Sequence, residues 1–138
     1  LEPSNRRKMA AGVALTAADR QPWMDAVCNR LRQLADIRAN CVLAHSGLRR
    51  SDRRRLRNLG FRTAFLHLDA DPELLAGRLA GRKGHFMPAG LLPSQFVALQ
   101  PPYGEPDVFP IDVGVSRSTI IERVCSVVAA FLPKECLL

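Results

Sequence analysis

Between Arg78 and Pro102 the sequence reads RLAGRKGHFMPAGLLPSQFVALQPP, and the residues in it that could do chemistry are mostly cationic: Arg78, Arg82, Lys83 and His85 gather around Gly81 and Gly84. Glycine adopts positive φ at little steric cost, so such a segment can swing cations over an anionic ligand and exclude water as it closes. Phosphoryl transfer calls for this, because its catalysis is largely positioning plus neutralisation of charge spreading over phosphate oxygens. The plainer reading is that cations at the end of a helix complement its dipole and face solvent, and spacing alone favours that reading. A second group is denser: Arg49, Arg50, Arg53, Arg54, Arg55 and Arg57. Helical spacing places Arg50, Arg54 and Arg57 on one face with Arg49 and Arg53 beside it.

The elements that must position these groups read as alternating helix and strand. Asn5 to Ala11 fits a short helix, with Arg7 and Lys8 facing ligand or water. Thr16 with Asp19 three residues on resembles a capping box, and Trp23, Val27, Leu31 and Leu34 follow at helical spacing to about Ala35. Pro22 is awkward inside that helix, so a start at Pro22 with Thr16 to Arg20 as a separate turn is the alternative. Cys41 to Ala44 is a short apolar run expected to form a buried strand that ends at His45-Ser46-Gly47. Ligands of open α/β sheets lie beyond the C-terminal ends of strands, which puts His45, Ser46, Arg49 and Arg50 where a site is expected.

A helix to about Asn58 closed by Gly60 comes next, then a strand over Arg62 to Asp69 and a helix capped by Asp71 that begins at Pro72. After the cationic loop, Leu91, Leu92, Phe96 and Leu99 share a helical face that ends at Pro101-Pro102. Val108 to Val113 reads as a strand, and Pro110 confines it to a sheet edge. Ser116 or Thr119 starts the last helix, with Ile120, Val124, Val127, Val128 and Phe131 on one side. Three strands with covering helices indicate an α/β protein with a parallel sheet.

At 138 residues with 47% apolar content the chain is expected to form one domain with a buried core. Mean hydropathy is −0.04, no apolar run approaches a membrane span, and the polar start lacks a signal-peptide core, so a cytoplasmic location is expected. Cys28, Cys41, Cys125 and Cys136 are widely separated and the three histidines are isolated, which argues for reduced thiols and against a zinc site. A net charge of +7 and a pI near 10.1 suit an anionic partner. Nucleic-acid binding would add stacking aromatics to the arginine cluster, and only Phe61 lies near, so that class ranks third.

Three ordered blocks resemble the gluconate kinases, small P-loop sugar-acid kinases related in fold to shikimate and nucleoside monophosphate kinases. They are R-K-G-H-F-M at Arg82 to Met87 followed by L-L-x-S-Q-F-x-x-L-Q-P at Leu91 to Pro101, N-R-R-K-M-x-x-G at Asn5 to Gly12 followed by L-T-x-x-D-R-x-P-W at Leu15 to Trp23, and S-G-L-R-R at Ser46 to Arg50. The resemblance implies a three-layer parallel sheet of the P-loop kinase type with a lid at about residues 82–93. The implied activity is ATP-dependent phosphorylation of the 6-hydroxyl of D-gluconate with Mg²⁺.

Arg82 and Lys83, with Arg78 and Gln95, are then expected on the nucleotide phosphates. Lys8, Arg20, Ser46, Arg49, Arg50 and His85 are expected around the sugar acid, and a homodimer is implied. No G-x-x-x-x-G-K-[ST] occurs in the sequence. The family carries that loop on its first strand, so the chain is expected to be the C-terminal portion of a longer polypeptide, with the general base and magnesium ligand upstream of Leu1. Leu1, Ala14, Ala17 and His45 stand where the family usually has His, Pro, an acidic residue and Cys, and Arg49-Arg50 replaces a lysine pair. The rival reading is a kinase-like chain that binds a sugar acid or nucleotide without turnover.

Overall fold

A computed structural model describes residues 2–82 and 88–132. Along the chain these form α1 (Pro3–Ala10), α2 (Ala17–Asp36), α3 (Arg50–Arg57), β1 (Phe65–Asp69), α4 (Pro72–Ala80), a short 3-10 turn (Ala89–Leu91), α5 (Leu92–Ala98), β2 (Val108–Asp112) and α6 (Arg117–Phe131). They group into two compact units, Leu1–Arg62 with Arg78–Pro101, and Thr63–Gly77 with Pro102–Leu138.

In the first unit α2 is the longest helix, and it starts where the Thr16 signal places it. The Thr16 hydroxyl accepts the Asp19 N–H at 3.2 Å while Asp19 Oδ2 accepts the Thr16 N–H at 2.9 Å, so both halves of the capping box are present. The helix then runs through Pro22 without a separate turn, which corrects the alternative start. Proline removes one N–H from the ladder, but Pro22 is exposed and close enough to the capped end for the helix to persist.

The buried stripe of α2 is Met24, Cys28 and Leu31, one position along from the expected Trp23 and Val27, which are only half-buried. α1 is tied to the start of α2 by Asn5, itself buried, whose Nδ2 donates to the Asp19 carbonyl at 2.5 Å. α3 packs on α2, with Leu56 and Leu59 buried and an Arg55–Asp25 ion pair between the two helices. Gly60, at φ +85°, turns the chain away after α3 as expected, in the region that side chains beyond glycine disfavour.

One expected strand is absent. Cys41 to Ala44 form neither strand nor helix, and Val42 is fully exposed. A strand exists only through ladder partners, and among the described residues this apolar run has none.

The second unit is built on a parallel pair, β1 with β2, in register from Phe65 opposite Val108 to Asp69 opposite Asp112. The ladder is bounded by Phe65 N–H donating to the Asp107 carbonyl and Val113 N–H donating to the Asp69 carbonyl, each at 2.8 Å. That phase turns the odd-numbered residues of β2 toward β1, so the nitrogen of Pro110 points off the ladder and closes the far edge, as its identity required. Ile111 and Val113 are buried, and α6 packs on β2 behind a Ser116 cap that accepts the Thr119 N–H at 3.2 Å. No helix among the described residues is long and apolar enough to cross a membrane.

Candidate functional site

The loop from His45 to Arg50 leads into α3 and is held from several sides. Gly47 takes φ +56°, a left-handed conformation that lets its N–H turn back and donate to His45 Nδ1 at 2.9 Å. The imidazole stacks on Trp23 with ring centroids 4.7 Å apart and planes 4° from parallel. Burial pushes the His45 pKa below its ordinary value, against the pull of Asp52, so the ring is neutral at pH 7. Because Nδ1 accepts, the proton sits on Nε2, which is buried without a hydrogen-bond partner among the described residues.

Arg49 is the N-cap residue of α3, with extended backbone at φ −100° and ψ 138°, and Arg50 is the first helical residue. Their side chains, with Ser51 and Arg54 of α3 and with Val97, Ala98 and Gln100 at the end of α5, line an open cleft of about 570 Å³. Three guanidiniums and no carboxylate line it, and α5 supplies an apolar wall in which Val97 is 89% exposed. Such a surface attracts anions, and an arginine fork can hold a carboxylate through two parallel hydrogen bonds.

Arg20 is half-buried and its Nη2 donates to the Leu15 carbonyl at 2.9 Å. Burial pulls its pKa below the ordinary value and neighbouring Arg49 adds to this, while Asp52 and Asp19 oppose it, so Arg20 belongs to the same electrostatic neighbourhood as Arg49. Lys8 lies 2.7 Å from Asp19 Oδ1. That hydrogen bond, followed by those from the Thr16 backbone and hydroxyl, lowers the Asp19 pKa to about 2 from 3.8. A depressed carboxylate contributes stability that is complete above its unfolded value and is lost as pH falls through the folded one. Stability is therefore expected to drop as pH falls from about 4 toward 2. Asp19→Asn should flatten that part of a urea-midpoint profile, and an unchanged acid limb would refute the assignment.

Of the residues singled out from sequence, Arg49 and Arg50 come together in the cleft, with Arg20 beside Arg49. Ser46 is exposed on the same loop, and Gln95 is half-buried on α5, the helix that forms the cleft wall. Arg78 is exposed in the last turn of α4, and Arg82 is exposed just beyond it, with its N–H on the Leu79 carbonyl at 3.1 Å. Lys83 and His85, and with them the centre of the expected lid, lie outside the described residues.

Two residues that matter here went unassigned in the sequence. Arg53, read as a cation beside the Arg50, Arg54 and Arg57 face, is 3% exposed and donates through Nη1 to the Gly47 carbonyl at 2.6 Å and through Nη2 to the Gln100 carbonyl at 2.9 Å. Its spacing to Leu56 and Leu59 placed it on the apolar face of α3 all along. Gln100, inside the L-Q-P motif, accepts the Arg50 N–H on Oε1 at 2.7 Å.

No family model matches the chain. Individual proteins do. The chain is 38% identical over 122 residues to the gluconokinase of Gluconobacter oxydans (strain 621H), an alignment covering 88% of this chain and 68% of that protein. The chain belongs to the gluconokinase family.

The thermosensitive gluconokinase of Escherichia coli (strain K12) is 34% identical over 127 residues, covering 91% of this chain and 68% of that one. Among solved structures, a gluconokinase from Sinorhizobium meliloti 1021 superposes with a TM-score of 0.79 at 36% identity, covering 94% of this chain and 72% of that one. A sugar kinase from Janibacter sp. HTCC2649 gives 0.83 at 32% identity, covering 96% and 78%. The fold is thus the α/β parallel-sheet P-loop kinase type, and the gluconokinase N-terminal strand and phosphate loop are not among these residues. Membership makes the function sugar-kinase-like.

Proposed function

We propose that this chain carries the acceptor side of an ATP-dependent kinase that phosphorylates D-gluconate to 6-phospho-D-gluconate. The observation that carries the proposal is the cleft at the α3 N-terminus, lined by Arg49, Arg50 and Arg54 without a carboxylate, in a chain related to proteins named gluconokinases. Arg49 and Arg50 take the sugar-acid carboxylate, and Arg20, Ser46, Lys8 and His85 complete the polar lining around it. Arg82 and Lys83 are the lid cations that meet the transferring phosphoryl group, with Arg78 and Gln95 on the nucleotide side. In this assignment the cations bind and orient the acid and neutralise charge, which is most of what phosphoryl transfer requires of a protein.

A magnesium ion would supply positive charge against the nucleotide phosphates, and it needs only one or two protein ligands. The G-x-x-x-x-G-K-[ST] motif, whose hydroxyl would be one such ligand, does not occur in the sequence, and no residue described here is assigned to the ion. The second reading is a kinase-like chain that binds the sugar acid or a nucleotide without turning over. A coupled assay for 6-phosphogluconate on the 138-residue chain, with calorimetry of gluconate binding alongside, separates the two. Turnover supports the kinase, binding without turnover supports the second reading, and the absence of both turnover and gluconate binding removes the sugar-acid site from each. In a version carrying a phosphate loop, Arg82→Ala is expected to lower kcat tenfold or more with little change in gluconate KM. An unchanged kcat would place Arg82 outside the site.

A further inference from the structure

Gln100 lines the cleft without an assigned role, and three of its polar groups are spent on the arginine loop and Arg53. Its N–H donates to the Leu48 carbonyl at 2.7 Å, its Oε1 accepts the Arg50 N–H at 2.7 Å, and its carbonyl accepts from Arg53 Nη2 at 2.9 Å. The other arm of the Arg53 guanidinium returns to the same loop, to the Gly47 carbonyl at 2.6 Å and the Leu48 carbonyl at 3.3 Å. One buried planar fork and one glutamine therefore join the stretch 47–50 to the residue that follows the α5 segment. The Arg50 N–H is one of the helix-start donors that no intrahelical carbonyl reaches, so the Gln100 side chain also completes α3.

We propose that Gln100 and Arg53 are positioning residues that hold the backbone of Arg49 and Arg50 so that both guanidiniums meet one carboxylate. The proposal rests on the sugar-acid reading of the cleft. Two long arginine side chains on a free loop would lose rotamer and backbone freedom on binding, and a loop already fixed avoids that cost. Arginine suits the buried position because its fixed fork reaches carbonyls on two chain segments at once, which a single lysine ammonium does not. The clasp joins the S-G-L-R-R and L-Q-P blocks, about fifty residues apart in sequence, through the backbone.

The test uses the full chain. Gln100 is exposed and lines the cleft, so Gln100→Ala retains its two backbone bonds and the fold while removing the tether on Arg50 and the side chain's share of the lining; exchange without ligand reads the tether alone. Amide hydrogen exchange without ligand should show Arg50 exchanging at least tenfold faster in Gln100→Ala, and Gln100→Glu, which keeps an acceptor, should restore protection. Calorimetry should show gluconate affinity at least tenfold weaker in Gln100→Ala. Arg49→Ala should cost less in that background than in the parent chain, since the two act through one geometry.

Arg53→Lys should act in the same direction on exchange and affinity. Faster Arg50 exchange with unchanged gluconate affinity would overturn the positioning role and leave the clasp purely structural. Unchanged exchange would overturn the clasp. A parent chain that binds no gluconate would instead remove the sugar-acid reading, and with it this proposal, whereas normal parent binding with unaltered variants removes the proposal alone.

Discussion

Replacing Arg49 and Arg50 together by alanine is expected to weaken gluconate binding by a hundredfold or more while leaving the melting temperature nearly unchanged. Each guanidinium can offer charge-assisted hydrogen bonds worth about 1.5–3 kcal/mol to a carboxylate, and roughly 1.4 kcal/mol is tenfold in affinity. The two side chains line the open cleft, and Arg50 is exposed, so their removal leaves little packing behind. Single replacements should fall between the double variant and the parent. Lysine at both positions should recover part of the affinity, because charge returns without the planar fork. Isothermal calorimetry at low salt is the check, and raised ionic strength should weaken the parent more than the double variant.

The second large effect is on stability. Arg53→Ala is expected to lower the unfolding free energy by about 3 kcal/mol or more, because it strips partners from carbonyls of Gly47, Leu48 and Gln100 around a side chain that is 3% exposed. Arg54→Ala, one residue along on the exposed face, should change stability by less than about 0.5 kcal/mol. Urea denaturation of the two variants gives the comparison. Equal losses would mean that the neighbouring arginines do not differ in the way their burial indicates.

That contrast shows where sequence reading stopped. A run of arginines reads as a charged surface, and for Arg50 and Arg54 it is one. Arg53 differs only in facing the side of α3 that carries Leu56 and Leu59, where backbone carbonyls rather than water take its donors. The helix starts were legible because their signals are local: Thr16 with Asp19, and Ser116 before Thr119, each form the cap their types allow. Pro110 likewise declared an edge strand through a missing N–H.

Cys41 to Ala44 misled for the opposite reason. Apolar, strand-like residues make a strand only when another strand lies alongside, and pairing is not a property of the segment itself. Trp23 was expected in the core by periodicity. It lies on the flank of α2, where its ring stacks on His45. Arg49 and Arg50 were expected beyond the end of the Cys41 to Ala44 strand and instead stand at the start of α3, and the sequence held no sign that Gln100, fifty residues on, would reach them.

The most direct measurement is a crystal structure of the chain grown with gluconate. The expected result is a carboxylate within about 3 Å of the guanidiniums of Arg49 and Arg50, in the cleft between α3 and the end of α5. Gluconate bound elsewhere, with both arginines turned to solvent, would contradict it.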